Sequence, residues 1–568
     1  MKKYYLLPFI LITFSLQAQI PNVNWFGHVG GSVLDQVNSI TLNSENDFLI
    51  TGYYGSNSEF DWINSDYTLT GMSGNDAFLA KYTNEGIIEW AVKFGGNLND
   101  GGGDVAVDNS NNVYSVGTFT NTGDFDPGPN TYNLTSTQGA YSWIDIYISK
   151  LDTDGNFVFA KQIMGEAVKR PSAIKVDTAG NFYVVGYYNN PLTLPSGDII
   201  DIPTPDDLSL YSMFIIKFDA NGDVVWYHNL GEASNLQRIE TLDLDANGNL
   251  YIGGQFHTET DFDPGAGEVI LTPHTMNYSD MFILKLDADG NFVWVKQFGG
   301  DNTNSLRGLK VSETGDIYAT GYFYGMVDFD PNAGEHQVTS APDTGYNPFL
   351  FKLDNTGSFQ WVKDFRGNGR GYTVSTSAEG QVFLGGDFNN TCDFSGGLET
   401  AVITPEGDID GFIAAYDAAS GDMIWVKTMG SDLEARVTAL DVDQEGALFA
   451  VGSFDEFGHI SNDVDDVTVT GNGMKDGFVL KISEEELSLP EVTTDVFYLY
   501  PNPVSDLVSF HLPNDYQANS IKIYNLTGQL VHQERYQSQI SLKHLASGLY
   551  IMQLENNSQK LTVKLVKQ

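Results

Sequence analysis

The chain has 568 residues, 41% of them hydrophobic and 13% aromatic, with 59 glycines, one cysteine and a formal net charge of −45. That acidity excludes a nucleic-acid-binding surface, which needs clustered Lys and Arg, and a single cysteine excludes an intramolecular disulfide. Length alone would suggest several domains, but an internal repeat takes up most of it.

In chain order, Met1-Lys2-Lys3, the apolar run from Tyr4 to Leu16 and Gln17-Ala18-Gln19 predict a secretory signal over residues 1–18. The run is too short to span a bilayer comfortably, so no transmembrane span is expected in the mature chain. A pattern Trp-x4-Gly-Gly, relaxed in places, then begins at Trp25 and returns at Trp90, Phe159, Trp226, Trp294, Trp361 and Trp425, a period of about 67 residues. Each copy after the first follows an apolar strand that opens on a polar residue with an aromatic two places on. These openings are Asp76-Ala77-Phe78, Asp145-Ile146-Tyr147, Ser212-Met213-Phe214, Asp280-Met281-Phe282, Asn347-Pro348-Phe349 and Asp410-Gly411-Phe412. A seventh, Asp476-Gly477-Phe478, has no Trp strand after it. A third element, apolar and aromatic-rich, closes on Gly52, Gly117, Gly186, Gly254, Gly321, Gly386 and Gly452.

The last unit therefore lacks the strand that stands alone before the first. In a ring of repeated sheets, that offset lets one terminus complete the sheet at the other and cover its open edge. The expected fold is all-β: a seven-bladed β-propeller over residues 19–482, each blade of about four strands, closed by the N-terminal strand and followed by a small antiparallel β-sandwich. Units such as Asp280-Met281-Phe282 through Gly290 to Trp294 and Gly299-Gly300 resemble the repeats of bacterial β-propeller (SBBP-like) proteins of the Bacteroidetes.

Within the units, Asp152-Thr153-Asp154-Gly155, Asp219-Ala220-Asn221-Gly222, Asp245-Ala246-Asn247-Gly248, Asp287-Ala288-Asp289-Gly290 and Asp354-Asn355-Thr356-Gly357 suit tight turns, Asp capping and Gly taking positive φ. The Glu that an EF-hand needs at its twelfth position is missing from all five. The longer connections carry Asp-Phe-Asp-Pro at Asp124 to Pro127, Asp261 to Pro264 and Asp328 to Pro331. Asp124, Asp126, Asp261, Asp263, Asp328 and Asp330 are candidate oxygen ligands for calcium. The same residues also suit Asx turns with the Phe packed between blades. Cys392 stands in no ligand or nucleophile pattern and is expected to be buried filler.

The tail from Phe497 holds six Lys/Arg against four Asp/Glu, and the first eighteen residues add two lysines, leaving about −49 on residues 19–496. Residues 483–496, charged and containing Pro490, suit a linker. Beyond it, strand-like runs at 507–512, 521–524, 529–532, 549–554 and 561–566 suit a sandwich of marginal size. Tyr500-Pro501-Asn502-Pro503, Ile521 to Gln529 with Gly528, Leu545-Ala546-Ser547-Gly548-Leu549-Tyr550 and the basic ending Lys564-Leu565-Val566-Lys567 closely resemble the C-terminal sorting domain of type IX secretion substrates in the Bacteroidetes. The resemblance implies that residues 497–568 are read by the type IX outer-membrane machinery and removed, with the cargo released or held at the cell surface.

No His-Glu-x-x-His, Gly-x-Ser-x-Gly, Walker-type loop or Cys/His cluster occurs. The expected role is a secreted or cell-surface scaffold presenting a binding surface to a glycan or protein. The second reading is a carbohydrate-active enzyme, a glycan hydrolase or lyase using carboxylates of the central funnel. Converging carboxylates with a basic or aromatic residue there would favour the enzyme.

Overall fold

The computed structural model describes residues 21–64, 67–138, 144–201, 210–234, 237–341, 345–398, 400–460, 467–483, 498–512, 518–525, 528–556 and 560–568. The signal over 1–18 and linker residues 484–496 lie outside them. The chain divides into two compact units, 1–484 and 485–568. All described regular elements are strands.

In the first unit the repeat is a set of antiparallel strands in sequence order, as in Arg238–Leu244, Leu250–Phe256, Asp280–Leu286 and Phe292–Gly300. The second strand is apolar throughout because both its faces are covered; all seven residues of Leu250–Phe256 are buried. One core cluster joins Tyr183 and Ile215 of one repeat to Leu242 and Leu284 of the next. Each such side chain contributes about 1.5–3 kcal/mol.

The sequence motifs mark repeated contacts. A β-bulge interrupts the first strand of every repeat, between Val37 and Ser39, Ile239 and Thr241, Val437 and Ala439, and the four equivalent places. The glycine closing the second strand lies opposite the residue before that bulge. A Cβ at Gly52 would come within 1.9 Å of the Gln36 carbonyl oxygen, and one at Gly254 within 2.1 Å of that of Arg238. The aromatic of the third strand covers the same glycine: that Cβ would lie 3.0 Å from the rings of Phe78 and Phe282 respectively. Only glycine admits both the bulged strand and the ring.

The tryptophans join successive repeats. The Trp90 indole N–H donates to Thr153 O at 3.2 Å, and a Cβ on Gly155 would sit 3.0 Å from the Trp90 ring. The rings of Trp226, Trp294 and Trp361 likewise lie against Gly290, Gly357 and Gly421, where a Cβ would come within 3.0, 3.5 and 2.9 Å of them. The Asp-x-x-Gly segments are the expected turns: Asp287 Oδ1 accepts from the N–H groups of Asp289 and Asn291, and Gly290 has φ +84°.

The orphan strand Asn22–Gly31 pairs antiparallel with Asp476–Ser483, Trp25 opposite Lys481. This is the register in which Trp90 faces Lys81, Trp226 faces Lys217 and Trp294 faces Lys285. Trp25 also lies against Gly86, the turn glycine of the first repeat, as Trp90 lies against that of the second. Its end pairs onward, Gly30 with Glu59. First strands of successive repeats touch, and Ala435–Val442 touches Gln36–Leu42. There the Thr438 hydroxyl donates to Val37 O at 2.9 Å and Leu42 N–H donates to Asp441 Oδ2 at 2.9 Å.

The second unit has two sheets. Tyr498–Tyr500, Leu507–His511 and Gln539–Ser541 form one; Leu530–Arg535, Ser520–Asn525, Gly548–Glu555 and Lys560–Lys567 form the other. Val504, Val508, Ile521, Ile523, Met552 and Leu565 belong to its core. Two of its strands, 498–500 and 539–541, are absent from the sequence reading, since three residues are too few for alternation to show.

Burial pushes the Asp35 carboxyl up to about 6 and those of Asp100 and Asp476 up to about 7, against backbone N–H groups that pull them down. Values above the unfolded-chain figure of about 3.9 mean the folded state keeps protons that the unfolded chain releases. This contribution is complete below about pH 4 and is lost as pH rises through 6 to 7. Repulsion among surface carboxylates has the same sign but is screened by salt. Urea unfolding in 1 M NaCl is expected to show stability falling by about 2–6 kcal/mol from pH 5 to pH 8. A flat profile would contradict buried protonated carboxylates.

Candidate functional site

The seven first strands line one cavity of about 610 Å³ in the first unit. At each bulge two residues oppose one, and the extra residue is re-aimed. The extra residues are Asn38, Gly103, Ser172, Glu240, Arg307, Tyr372 and Thr438, and all seven line the cavity. Three tie the first strands together: Asn38 donates to Gly102 O at 2.7 Å, Ser172 to Ile239 O at 2.6 Å and Thr438 to Val37 O. Farther along the strands, Asp104 accepts from Ile174 N–H and Asp243 from Val311 N–H, each at 2.8 Å.

Three consecutive repeats depart from this pattern with Glu240, Arg307 and Tyr372. Glu240 pairs with Arg307 at 3.0 Å. The Tyr372 hydroxyl donates to Asp387 Oδ2 at 2.8 Å, and Asp387 faces Arg436 at 3.3 Å. Arg436 and Lys475 each reach Glu434 at 3.2 Å. Arg370 donates to the Tyr372 hydroxyl and Arg307 to that of Tyr322, both at 3.4 Å. Arg238 lies over the rings of Tyr187 and Tyr211, 4.9 and 5.7 Å from their centroids. Burial, opposed by Arg307 and Arg238, holds the Glu240 carboxyl above its ordinary range. Burial and the Asp387 charge push the Tyr372 phenol up to about 12.

This constellation was missed from sequence, although a signal exists. Arg170, Arg238, Arg370 and Arg436 each stand sixteen residues before the glycine closing the second strand. They occupy one layer of the first strands, opposite Tyr187, Gln255, Asp387 and Ser453. Of the seven arginines in the chain, these four and Arg307 lie on first strands.

The Asp-Phe-Asp-Pro segments lie at small hairpins in the long connections, such as Thr260–Asp261 with Ile270–Leu271 and Met326–Asp328 with Gln337–Thr339. Asp124 Oδ1 accepts from Asp126 and Tyr132 N–H, Asp261 Oδ1 from Asp263 and Val269, and Asp328 Oδ1 from Asp330 and His336. Asp126, Asp263 and Asp330 accept from the N–H groups of Gly128, Gly265 and Asn332. Phe125, Phe262 and Phe329 are fully buried. Among the described residues no group of three His, Cys, Asp or Glu side chains is placed to hold a metal ion. Cys392 is buried, its thiol pushed up to about 12 by burial.

In the second unit the tail motifs meet. The Asn502 side chain donates to Lys564 O at 2.7 Å and accepts from Val566 N–H at 2.8 Å. Gly548 pairs with Lys567 and Tyr550 with Leu565. The Tyr550 hydroxyl donates to Ala546 O at 3.0 Å, and Gly528 turns its hairpin at φ +76°. Tyr500 is exposed.

Residues 498–568 match the secretion system C-terminal sorting domain. The chain thus carries a type IX sorting tail, and the protein is secreted or held at the cell surface. An uncharacterized WD repeat-containing protein of Acanthamoeba polyphaga mimivirus is 23% identical over 464 residues, 70% of this chain, which spans 32% of that relative's length. Among solved structures, a protein of unknown function from Bacteroides caccae is similar over 61% of this chain and 89% of its own, at 9% identity and a TM-score of 0.29. The extracellular domain of a putative hybrid two component system from B. thetaiotaomicron covers 95% and 99%, at 11% identity and a TM-score of 0.17. A gluconolactonase from Xanthomonas campestris covers 63% and 94%, at 12% identity and a TM-score of 0.25.

Replacing Glu240 by Ala leaves Arg307 half-buried without its carboxylate and is expected to cost about 1–3 kcal/mol in urea unfolding, discounted for partial exposure. The further change Arg307→Met should recover part of that loss. A double variant whose loss equals the sum of the Glu240→Ala and Arg307→Met losses would mean the pair is not coupled.

Proposed function

We propose that residues 19–482 form a seven-bladed β-propeller whose last blade is completed by Asn22–Gly31, and that it acts outside the cell as a binding scaffold whose site is the central cavity. The closed ring is supported by the Trp25–Lys481 register and by the ties of Thr438 and Asp441 to the first repeat. The binding role rests on one observation: at a position where three of the other repeats tie neighbouring strands, three successive repeats present Glu240, Arg307 and Tyr372 to the cavity. Binding sites concentrate in such concave places where a few polar groups converge.

The second reading, a glycan hydrolase or lyase, is favoured by two carboxylates, Glu240 paired with Arg307 and Asp387 held by Arg436 and Tyr372. Screening the full-length protein against glycan and protein arrays, with product analysis on every glycan bound, separates the two. Retained ligand without new reducing or unsaturated ends supports the scaffold; products lost in both Glu240→Gln and Asp387→Asn support the enzyme. For the Asp-Phe-Asp-Pro loops we favour the turn role, and calcium raising the melting temperature would move them to metal binding.

Deleting Asn22–Gly31 is expected to lower the melting temperature of the whole first unit, because it opens the proposed seam and bares the edge of Asp476–Ser483. Truncation after Pro490 should leave that melting temperature unchanged while abolishing export. A first unit indifferent to the deletion would refute closure.

A further inference from the structure

The arginine layer has a ligand chemistry of its own. The first unit carries almost the whole of the acidic surplus, so an arginine there has carboxylates in abundance to pair with. Lys150, Lys285 and Lys352 all have one. Yet among the described residues Arg170, Arg238 and Arg370 have no carboxylate within ion-pair distance. The buried Nε atoms of Arg238 and Arg307 and Oε1 of Glu240 have no hydrogen-bond partner there. Buried charged groups left with open hydrogen-bonding positions are costly unless a ligand fills them.

We propose that the arginine layer bordering this cavity, which Arg307 and Arg436 line and where Arg370 donates to the hydroxyl of the lining Tyr372, binds the carboxylate of a sugar acid, with the Ser and Thr side chains of the wall taking its hydroxyls; this rests on the binding reading above. A guanidinium presents a planar fork that matches a carboxylate bidentately, and Arg–carboxylate pairing is the chemistry such a fork serves best. Tyr187, Tyr211 and Tyr322 flank the forks with rings and hydroxyls, an amphipathic surface suited to a saccharide ring. Ser39, Thr41, Thr241, Thr373 and Ser375 line the cavity, and a volume of about 610 Å³ suits a short saccharide. The body is otherwise acidic and its field repels an anion, whereas the first strands gather five of the chain's seven guanidinium groups, of which Arg307 and Arg436 are paired with Glu240, Asp387 and Glu434.

The test uses the full-length protein and calorimetric titration with trigalacturonate, a neutral galactose trimer, triglutamate and inorganic sulfate. Trigalacturonate should bind, at least about 10-fold tighter than the other three, and about 10-fold or more weaker in Arg238→Gln and Arg370→Gln. Arg238→Lys, which keeps the charge without the fork, should also weaken binding, and Arg366→Gln, on the fourth strand's flank, should not. If Arg238→Gln fails to fold, Arg370→Gln and Arg238→Lys carry the test. Equal binding of the neutral trimer overturns the carboxylate assignment and leaves the scaffold reading standing. Preference for triglutamate or sulfate, or arginine variants that bind normally, overturns it too. Silence of all four probes also overturns it, while the arrays decide separately whether the scaffold reading falls.

Discussion

The first unit depends on one close approach repeated seven times: a bulged first strand lying so near the second that only a glycine fits between the backbone carbonyl and the covering aromatic ring. Everything else in the repeat is arranged around that contact. The bulge frees one residue per repeat from the pleat, the glycine accommodates it, and the Phe or Tyr of the third strand fills the space where a side chain would have been. The consequence is a wall in which six of the seven repeats offer one redirected side chain to the same cavity, Gly103 being the exception, at almost no change to the surrounding frame.

That frame lets the symmetric and the asymmetric coexist. Asn38, Ser172 and Thr438 spend their redirected side chains on the neighbouring strand, which holds the repeats side by side. Glu240, Arg307 and Tyr372 spend theirs on one another's surroundings, and the strand contacts around them persist because backbone pairing and the buried middle strands supply the cohesion. A local exchange of tie residues for other polar side chains therefore carries a small structural cost.

The elements most legible in the sequence were those whose chemistry is the same in every copy. Gly254, Phe282, Trp294 and the turn at Asp287 recur because each answers a steric or turn requirement that does not vary. Trp25 was legible as a displaced copy for the same reason, and its pairing with Lys481 follows the register of the others. The arginine layer was hidden because its meaning depends on register across a bulge, and a bulge leaves no composition mark. Counting back from the closing glycines would have aligned Arg170, Arg238, Arg370 and Arg436, but only once those glycines are understood as fixed points opposite the bulge. The short strands at 498–500 and 539–541 escaped for a different reason, being too brief to carry a period. The Asp-Phe-Asp-Pro loops were legible as two things at once, since a carboxylate that caps a turn and one that binds a cation have the same sequence.

The pairing of Asn22–Gly31 with Asp476–Ser483 has a kinetic meaning. Trp25 and Lys481 are separated by more than four hundred and fifty residues, so joining them from an open chain costs on the order of 5 kcal/mol in loop-closure entropy. Contacts of such range form late, after the intervening repeats have shortened the effective loop. The last sheet cannot acquire its outer strand until nearly the whole first unit has assembled, while its third strand ends just before the residues that lead to the sorting tail. The first strand of this unit is thus held in waiting for its last, and the sheet that joins them is complete only when the repeats between them have folded.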